Sequence, residues 1–313
     1  MATQTADIKL PKVKLNIYTP KNPVVVPVVE NWVATKSSSP NFIRHIAFDI
    51  SGTELEGNIE VGQAFGILPP GKTENGRPHK LRLYSLASPR NREGDDQAIV
   101  STTVKRVIED WEDEGLLYLG VCSNYLCNLK PGDEVKMTGP SGRRFLLPEN
   151  RNDFNYIFFA AGTGMAPFRG MVLDLLENGF DNQITLVFGC PYRTDILYYE
   201  FFTKLEEQYE NFNFITCISR EDRRPDGTKK YVQTSIVDHS SALHPLLKKS
   251  NTLVYICGLK GMETGIYQTL ASQGLSEYLV IDDAAQHKDP KDWDEKDFKR
   301  NIKPSNRMFV EVY

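Results

Sequence analysis

The apolar pattern changes character near residue 150, and that change limits what the chain can fold into. Before it, short segments at Ile43–Ile50, Gln63–Ile67, Leu81–Ser85, Ile99–Ile108 and Asp133–Thr138 are separated by Ser51-Gly52, Pro70-Gly71, Asn75-Gly76, Pro131-Gly132 and Gly139-Pro140. Short strands punctuated by such turns predict an antiparallel β-barrel or sandwich. One short helix fits there, over Ser123–Leu129, stopped by Lys130-Pro131-Gly132. After the change, the apolar run Tyr156–Ala161 meets Gly162-Thr163-Gly164 and a helical stretch from Pro167 to Glu177. Ile184–Phe188, a helical Tyr198–Tyr209, Asn213–Ile218 and Leu253–Ile256 follow. Strands alternating with helices predict a doubly wound parallel α/β sheet covered on both faces. The chain is therefore expected to hold a β-barrel domain over 1–149 and an α/β domain over 150–313. A length of 313 residues suits two domains at roughly 100–200 residues each.

Residues 1–40, punctuated by Pro20, Pro23, Pro27 and Ser37-Ser38-Ser39-Pro40, read as an extended, loosely packed arm. The net charge of −4 offers no global attraction to nucleic acid. Five scattered cysteines argue against a disulfide framework, and no Cys or His cluster completes a metal site. The N-terminal residues lack the apolar core of a signal peptide, and no run reaches the ~20 apolar residues of a membrane span. The expectation is a soluble cytoplasmic protein with reduced thiols.

Several short constellations could carry chemistry. In Arg82-Leu83-Tyr84-Ser85, strand alternation puts Arg82 and Tyr84 on one face, a cation and a flat ring suited to a ligand with both phosphate and an aromatic system. Gly120-Val121-Cys122-Ser123-Asn124 reads either as a plain capping turn or as a helix start that seats a pyrophosphate. Gly162-Thr163-Gly164-Met165-Ala166-Pro167-Phe168-Arg169 joins a buried strand to a helix through glycines that let a ligand approach the backbone. It is Gly-x-Gly rather than the full dinucleotide fingerprint, and no acidic residue is placed to favour the free ribose of NAD.

Ser219-Arg220, with Lys229, Tyr231 and Gln233 further on, offers a cation, hydroxyls and a phenol after a parallel strand, a set that could bind the 2′-phosphate of NADP and stack its adenine. Arg223 and Arg224 beside Glu221 and Asp222 read as a solvated loop of mixed sign. Cys257-Gly258-Leu259 ends another strand, where open α/β sheets bind ligands, although the thiol could equally be a small core group. The terminus Phe309-Val310-Glu311-Val312-Tyr313 is strand-like and ends on an aromatic.

Taken in order, RLYS, GVCSN, GTGMAPFR, ISRE, Y-V-Q, CGLKGM and terminal VEVY closely resemble the plastid-type ferredoxin–NADP reductases. The resemblance covers Leu81–Tyr313 well and the first 80 residues more loosely, through YTPKNP and GQAFGILPPG. It implies a barrel domain binding FAD and an α/β domain binding NADP. Tyr84 and Tyr313 would stack on opposite flavin faces, with Tyr313 moving aside for nicotinamide. Arg82 would hold the FAD pyrophosphate, helped by Val121, Cys122 and Ser123, while Leu83, Thr103, Val104, Lys105 and Thr163 complete the FAD set. Ser85, Cys257 and Glu311 would surround the nicotinamide and the hydride-accepting nitrogen of flavin. Ser219, Arg220, Lys229, Tyr231 and Gln233 would bind the 2′-phosphate adenosine, and Thr163, Pro191, Gly258 and Leu259 the rest of NADP(H). Ferredoxin or flavodoxin would be the partner of a monomeric enzyme. These carriers are acidic, so Lys72, Arg77, Lys80, Arg90, Arg92, Arg143 and Arg144 are candidate docking cations.

The chain departs from the family pattern twice. Glu109 stands where plant members carry an aromatic under the FAD adenine, leaving Trp111 as a substitute or a bent FAD as alternatives. The segment Asp282–Pro304 is longer and more charged than usual, as expected of a solvent-exposed insertion. Two other readings stay open: a related NADPH-dependent flavin reductase serving a haem protein or oxygenase, and a flavin-binding scaffold without turnover.

Overall fold

The computed structural model describes residues 7–89, 93, 98–111 and 116–313. Arg90 and Arg92 lie outside the described residues. The chain forms two compact units: Pro11–Leu147 with Ala166–Asn178 in one, and the described residues up to Leu10 with Pro148–Met165 and Gly179–Tyr313 in the other.

The first unit contains β1 (Val24–Val33), β2 (Ile43–Asp49), β3 (Ala64–Leu68), β4 (Arg82–Ser85), β5 (Ile99–Lys105), β6 (Ile108–Trp111), β7 (Leu116–Leu119), α1 (Val121–Asn128) and β8 (Glu134–Ser141). Six strands form an antiparallel sheet in the order β4-β3-β8-β1-β2-β5, and β6 with β7 makes a separate hairpin. The sheet curls until its edges meet. Thr102 Oγ1 of β5 donates to the Ser85 carbonyl of β4 at 2.8 Å, and Ala87 N donates to the Ser101 carbonyl at 2.7 Å. Inside sit Val26, Ile46, Phe48, Phe65, Ile67, Val100 and Met137, with Leu126 contributed by α1. This is the antiparallel barrel that the turn spacing predicted.

The expectation of a loose arm over 1–40 is corrected by β1, an interior strand whose Val26 and Val28 are buried. Its prolines misled because Pro27 sits where they are harmless. Residues 24–27 pair with β8 and residues 28–33 with β2, so the missing N–H falls at the changeover between partners. The expected strand Ile99–Ile108 is likewise broken after Lys105. There Arg106 turns away to donate to Asn124 Oδ1 at 3.0 Å and Asn128 Oδ1 at 2.7 Å on α1.

The second unit adds β9 (Asn155–Ala161), the start of α2 (Met165–Leu176), β10 (Ile184–Cys190), α3 (Tyr199–Gln208), β11 (Phe212–Ile218), α4 (Ser235–Asp238), α5 (Ser240–Leu247), β12 (Thr252–Gly258), α6 (Lys260–Ser272), β13 (Leu279–Ile281), α7 (Asp283–Gln286), β14 (Ile302–Pro304) and β15 (Met308–Val312). Five strands form a parallel sheet in the order β11-β10-β9-β12-β15. β10 and β12 are buried along their whole length, as continuous apolar runs in a doubly covered parallel sheet should be.

The segment expected to be a solvent-exposed insertion is exposed over most of its length but anchored by a few buried side chains, an excursion bounded by the antiparallel pair β13 and β14. Its Trp293, Ala285 and Ile302 join the same core as Tyr267 and Ile266 of α6. Its one fully buried charge, Asp297, accepts from Lys288 Nζ at 2.8 Å and Asn301 Nδ2 at 2.9 Å. These bonds draw its carboxyl down to about 2. High charge density in the sequence concealed one internally paired carboxylate and a tryptophan anchor. Among the described residues, no helix is long and apolar enough to cross a membrane.

Within the barrel unit, Arg169 is buried and donates to Glu93 Oε2 at 2.8 Å, Glu93 Oε1 at 2.5 Å and the Ala87 carbonyl at 3.0 Å. Burial alone would raise the Glu93 carboxyl, but Arg169, His45 and Ser101 together hold it below the usual range. His45, under the stacked Trp32 ring at 4.9 Å, is pushed down to about 3 by burial and by the Arg169 charge. Removing one partner of a buried pair strands the other, so Arg169→Met should cost about 3 kcal/mol in urea unfolding at pH 7. His45 is neutral in the fold but titrates near 6.5 when unfolded. Its contribution to stability is therefore complete above pH 6.5 and is lost as pH falls toward 3. Between pH 6 and 4 it should add a slope of about 1.4 kcal/mol per pH unit, which His45→Gln removes.

Candidate functional site

The parallel sheet runs out from β9 through β10 to β11, then returns to β12 on the other side of β9. Such a switch point opens a crevice at the carboxyl ends of the strands, where open α/β sheets bind ligands. Gly162-Thr163-Gly164 leaves β9 at this point, and Gly258 ends β12 beside it. A Cβ on Gly164 would lie 2.2 Å from the Cys257 carbonyl oxygen, so the two strand ends approach as closely as backbone allows. Gly258 takes φ 149°, a second position there that a side chain would strain.

β15 lies beside β12 in parallel register, with Cys257 opposite Glu311 and Gly258 opposite Val312. Phe309 stacks on Tyr255 at 4.4 Å, which locks the last strand in place. Tyr313 is held by its backbone N–H to the Gly258 carbonyl at 3.0 Å and by its phenol to Thr163 Oγ1 at 2.6 Å, while the residue is 62% exposed. The terminus is therefore part of the sheet, as its strand-like sequence suggested. Glu311 Oε2 is buried without a hydrogen-bond partner, and burial pushes its carboxyl up. Burial, with the Glu311 charge second, holds the Cys257 thiol protonated well above its ordinary value. A thiol that burial keeps protonated and a carboxyl whose proton affinity burial raises thus stand side by side.

Farther along the same edge, Ser219 N donates to the Cys190 carbonyl and Arg220 N to the Pro191 carbonyl, both at 3.0 Å. Pro191, Ser219 and Arg220 are thereby brought together. Sequence reasoning missed two neighbours. The Tyr192 hydroxyl accepts from Arg220 at 2.9 Å, with the guanidinium 5.5 Å from its ring centre. Arg193 pairs with Asp222 at 2.5 Å and Glu221 at 3.3 Å. That pairing neutralises the acids that made the loop look self-cancelling and leaves the Arg220 charge for an anion. Arg224 is tied to Asp238 at 2.9 Å, and Arg223 donates to the Asp222 carbonyl at 2.8 Å, the structural roles read for them. Lys229 and Tyr231 are exposed and Gln233 is half-buried. The Tyr231–Gln233 stretch reaches this edge because Gly189 lacks the Cβ that would meet Val232 at 2.3 Å. Leu259 is exposed beyond Gly258.

On the barrel unit, β4 is an edge strand with Arg82 and Leu83 exposed and Tyr84 and Ser85 half-buried. Burial and the nearby Cys122 push the Tyr84 phenol far up, so its hydroxyl stays a neutral donor. α1 begins with no side-chain cap, which leaves first-turn N–H groups for an anion. Ser123 does not cap it: its hydroxyl accepts from Val107 N at 3.2 Å and donates to the Gly120 carbonyl at 3.1 Å. Thr103 and Val104 are buried in β5 and Lys105 is exposed, so Val104 can meet a ligand only through its backbone. An open edge cation, a fixed aromatic and an uncapped helix start on one unit suit a flavin dinucleotide.

The fold and these two sites define a flavin- and pyridine-nucleotide-dependent oxidoreductase. Residues 158–268 match the Oxidoreductase NAD-binding domain family. A ferredoxin–NADP reductase of Spirulina sp is 40% identical over 96% of this chain and 99% of its own length. The chloroplastic leaf isozyme 1 reductase of Arabidopsis thaliana is 39% identical over 96% of this chain and 79% of its own. The solved ferredoxin-NADP+ reductase from Plasmodium falciparum superposes with a TM-score of 0.71 at 26% identity, covering 95% of this chain and 99% of that one. The chain belongs to the ferredoxin–NADP reductase family.

Because burial penalises the ionised form of Glu311, the native state loses stability as pH rises through its elevated pKa. Glu311→Gln should therefore raise unfolding free energy at pH 8 by roughly 0.5–2 kcal/mol, a gain that shrinks toward pH 4, while turnover falls. Urea titrations at the two pH values check this.

Proposed function

We propose that this chain is an FAD enzyme moving electrons between NADP(H) and ferredoxin, with flavodoxin as a second carrier. The observation that carries the reading is the gathering of Gly162–Gly164, Cys257, Gly258, Glu311 and Tyr313 at one switch point, with Arg220 relieved of its acidic neighbours farther along the same edge. When bound, FAD supplies the conversion between a hydride pair and single electrons.

The chain's own residues bind and orient. Residues 1–149 are assigned to FAD and 150–313 to NADP(H). Arg82 and the start of α1 at Val121–Ser123 hold the FAD pyrophosphate, and Leu83, Thr103, the Val104 backbone, Lys105 and Thr163 line the rest of the dinucleotide. Tyr84 carries one flavin face and Ser85 hydrogen-bonds at the hydride-accepting nitrogen. Ser219, Arg220, Lys229, Tyr231 and Gln233 receive the 2′-phosphate adenosine. A Plasmodium falciparum reductase solved with 2'P-AMP, at TM-score 0.70 and 26% identity, supports a 2′-phosphate subsite in this fold. Thr163, Pro191, Gly258 and Leu259 follow the remainder of the nucleotide. Cys257 donates beside the nicotinamide, and Glu311, whose proton affinity burial raises, handles a proton there.

Tyr313 covers the second flavin face and swings aside for nicotinamide. It is tethered through its phenol, to Thr163 and the Gly164 backbone, and through its own N–H to the Gly258 carbonyl, and the residue is largely exposed, so the swing disturbs little packing. The exposed Lys72, Arg77, Lys80, Arg143 and Arg144 form the cationic face for an acidic carrier. Five free, buried cysteines support a reducing compartment such as the cytoplasm, and we assign a monomer.

The purified protein should be yellow and bleached far faster by NADPH than by NADH in stopped flow. Arg220→Leu should lower kcat/KM for NADPH by about 100-fold and leave NADH nearly unchanged, since a lost charge-assisted phosphate pair is worth up to about 3 kcal/mol. A colourless preparation, or equal reduction by both nucleotides, overturns the reading.

A further inference from the structure

The hairpin of β6 and β7 is joined rigidly to the start of α1. Gly120 N donates to the Val107 carbonyl at 3.0 Å, Asn124 Nδ2 donates to the Val107 and Gly120 carbonyls at 2.9 Å each, and Ser123 bridges Val107 and Gly120. Arg106 completes the joint through Asn124 and Asn128. A Cβ on Gly120 would lie 2.7 Å from Ser123 Oγ and 2.8 Å from Val107 Cβ, so no other residue leaves the joint this tight. Whatever stacks on the hairpin therefore sits at a set distance from the helix start assigned to the pyrophosphate.

The register of the hairpin pairs Ile108 with Leu119, Glu109 with Tyr118 and Asp110 with Leu117. Glu109 and Tyr118 consequently share one face, while Leu117 and Leu119 point to the other. The missing Cβ of Gly120 points at Ser123, which marks the Tyr118 face as the one turned toward the first turn of α1. Tyr118 is 44% exposed, and about 10 Å of chain separates it from Val121, a span that a ribose and its phosphate can bridge.

We propose that Tyr118 is the platform on which the adenine of FAD stacks, the aromatic having moved across the hairpin from the position that Glu109 occupies. Glu109 offers an acceptor but no flat surface, and its cross-strand neighbour supplies one at the same level of the same face. Trp111 ends β6, and its side chain is outside the described residues. This assignment rests on the FAD reading and replaces the choice between Trp111 and a bent cofactor.

The test uses flavin-stripped full-length protein titrated with FAD and with FMN, which lacks the adenine, read by quenching of flavin fluorescence. Tyr118→Val, which keeps a strand-forming side chain, should weaken FAD binding about tenfold or more and leave FMN binding unchanged, the size expected for one base stacked on one aromatic. Tyr118→Phe should bind FAD as the parent does, and it keeps the comparison usable if the valine variant melts early. Unchanged FAD affinity in Tyr118→Val overturns the proposal, as does an equal loss for FAD and FMN. A loss on Trp111→Leu without one on Tyr118→Val moves the platform to Trp111 and also overturns it. A parent apoprotein that binds neither flavin fails the FAD reading itself, an outcome distinct from the other three.

Discussion

Gly164 has no side chain, and at its position a Cβ would stand 2.2 Å from the Cys257 carbonyl oxygen and 2.9 Å from Gly258 N. The meeting of β9 and β12 at the switch point depends on that absence. Once those strand ends touch, the register of β12 with β15 sets Glu311 beside Cys257 and brings Tyr313 within 2.6 Å of Thr163. Residues almost 150 positions apart become one site through a single backbone approach. The unpartnered Glu311 oxygen follows from the same closeness, since the crevice that gathers the site also shuts water away from it.

The barrel unit is organised around a different constraint, the burial of charge. Arg169, Glu93 and His45 are removed from water together, and burial and the neighbouring charges shift both the His45 and the Glu93 groups downward in net. The pair joins Arg169 of α2 to Glu93, so it ties an element written late in the sequence to the barrel written early. Gly170 serves the same attachment, because a Cβ there would lie 2.4 Å from the Ser88 carbonyl. In the motif GTGMAPFR, the glycines thus belong to the nucleotide edge and the arginine to the barrel.

Much of this was legible from residue patterns, and the misses have physical causes. Continuous apolar runs marked β9, β10 and β12 because a doubly covered parallel sheet tolerates few polar positions. β1 was misread because proline is judged by propensity, whereas its cost depends on whether its N–H faces a partner at that point of the sheet. The excursion between β13 and β14 is largely exposed, as its charge density suggested, and only folding reveals that Asp297 is paired and Trp293 covered. Tyr192 and Arg193 were invisible as site residues, since their partners at 220–222 lie after β11, the neighbouring strand of the sheet.

By itself the sequence determined the kinds of layer, the order of glycine turns, the identity of most candidate ligands and the family. Those properties depend on local periodicity and on short ordered motifs, which survive in one dimension. Tertiary structure alone decided which charges are free to act and which are already paired, because pairing depends on distance through space. It left Arg220 available by giving Glu221 and Asp222 to Arg193, it set the strand-like tail beside β12, and it placed Tyr118 opposite Glu109 through a register that neither residue specifies alone.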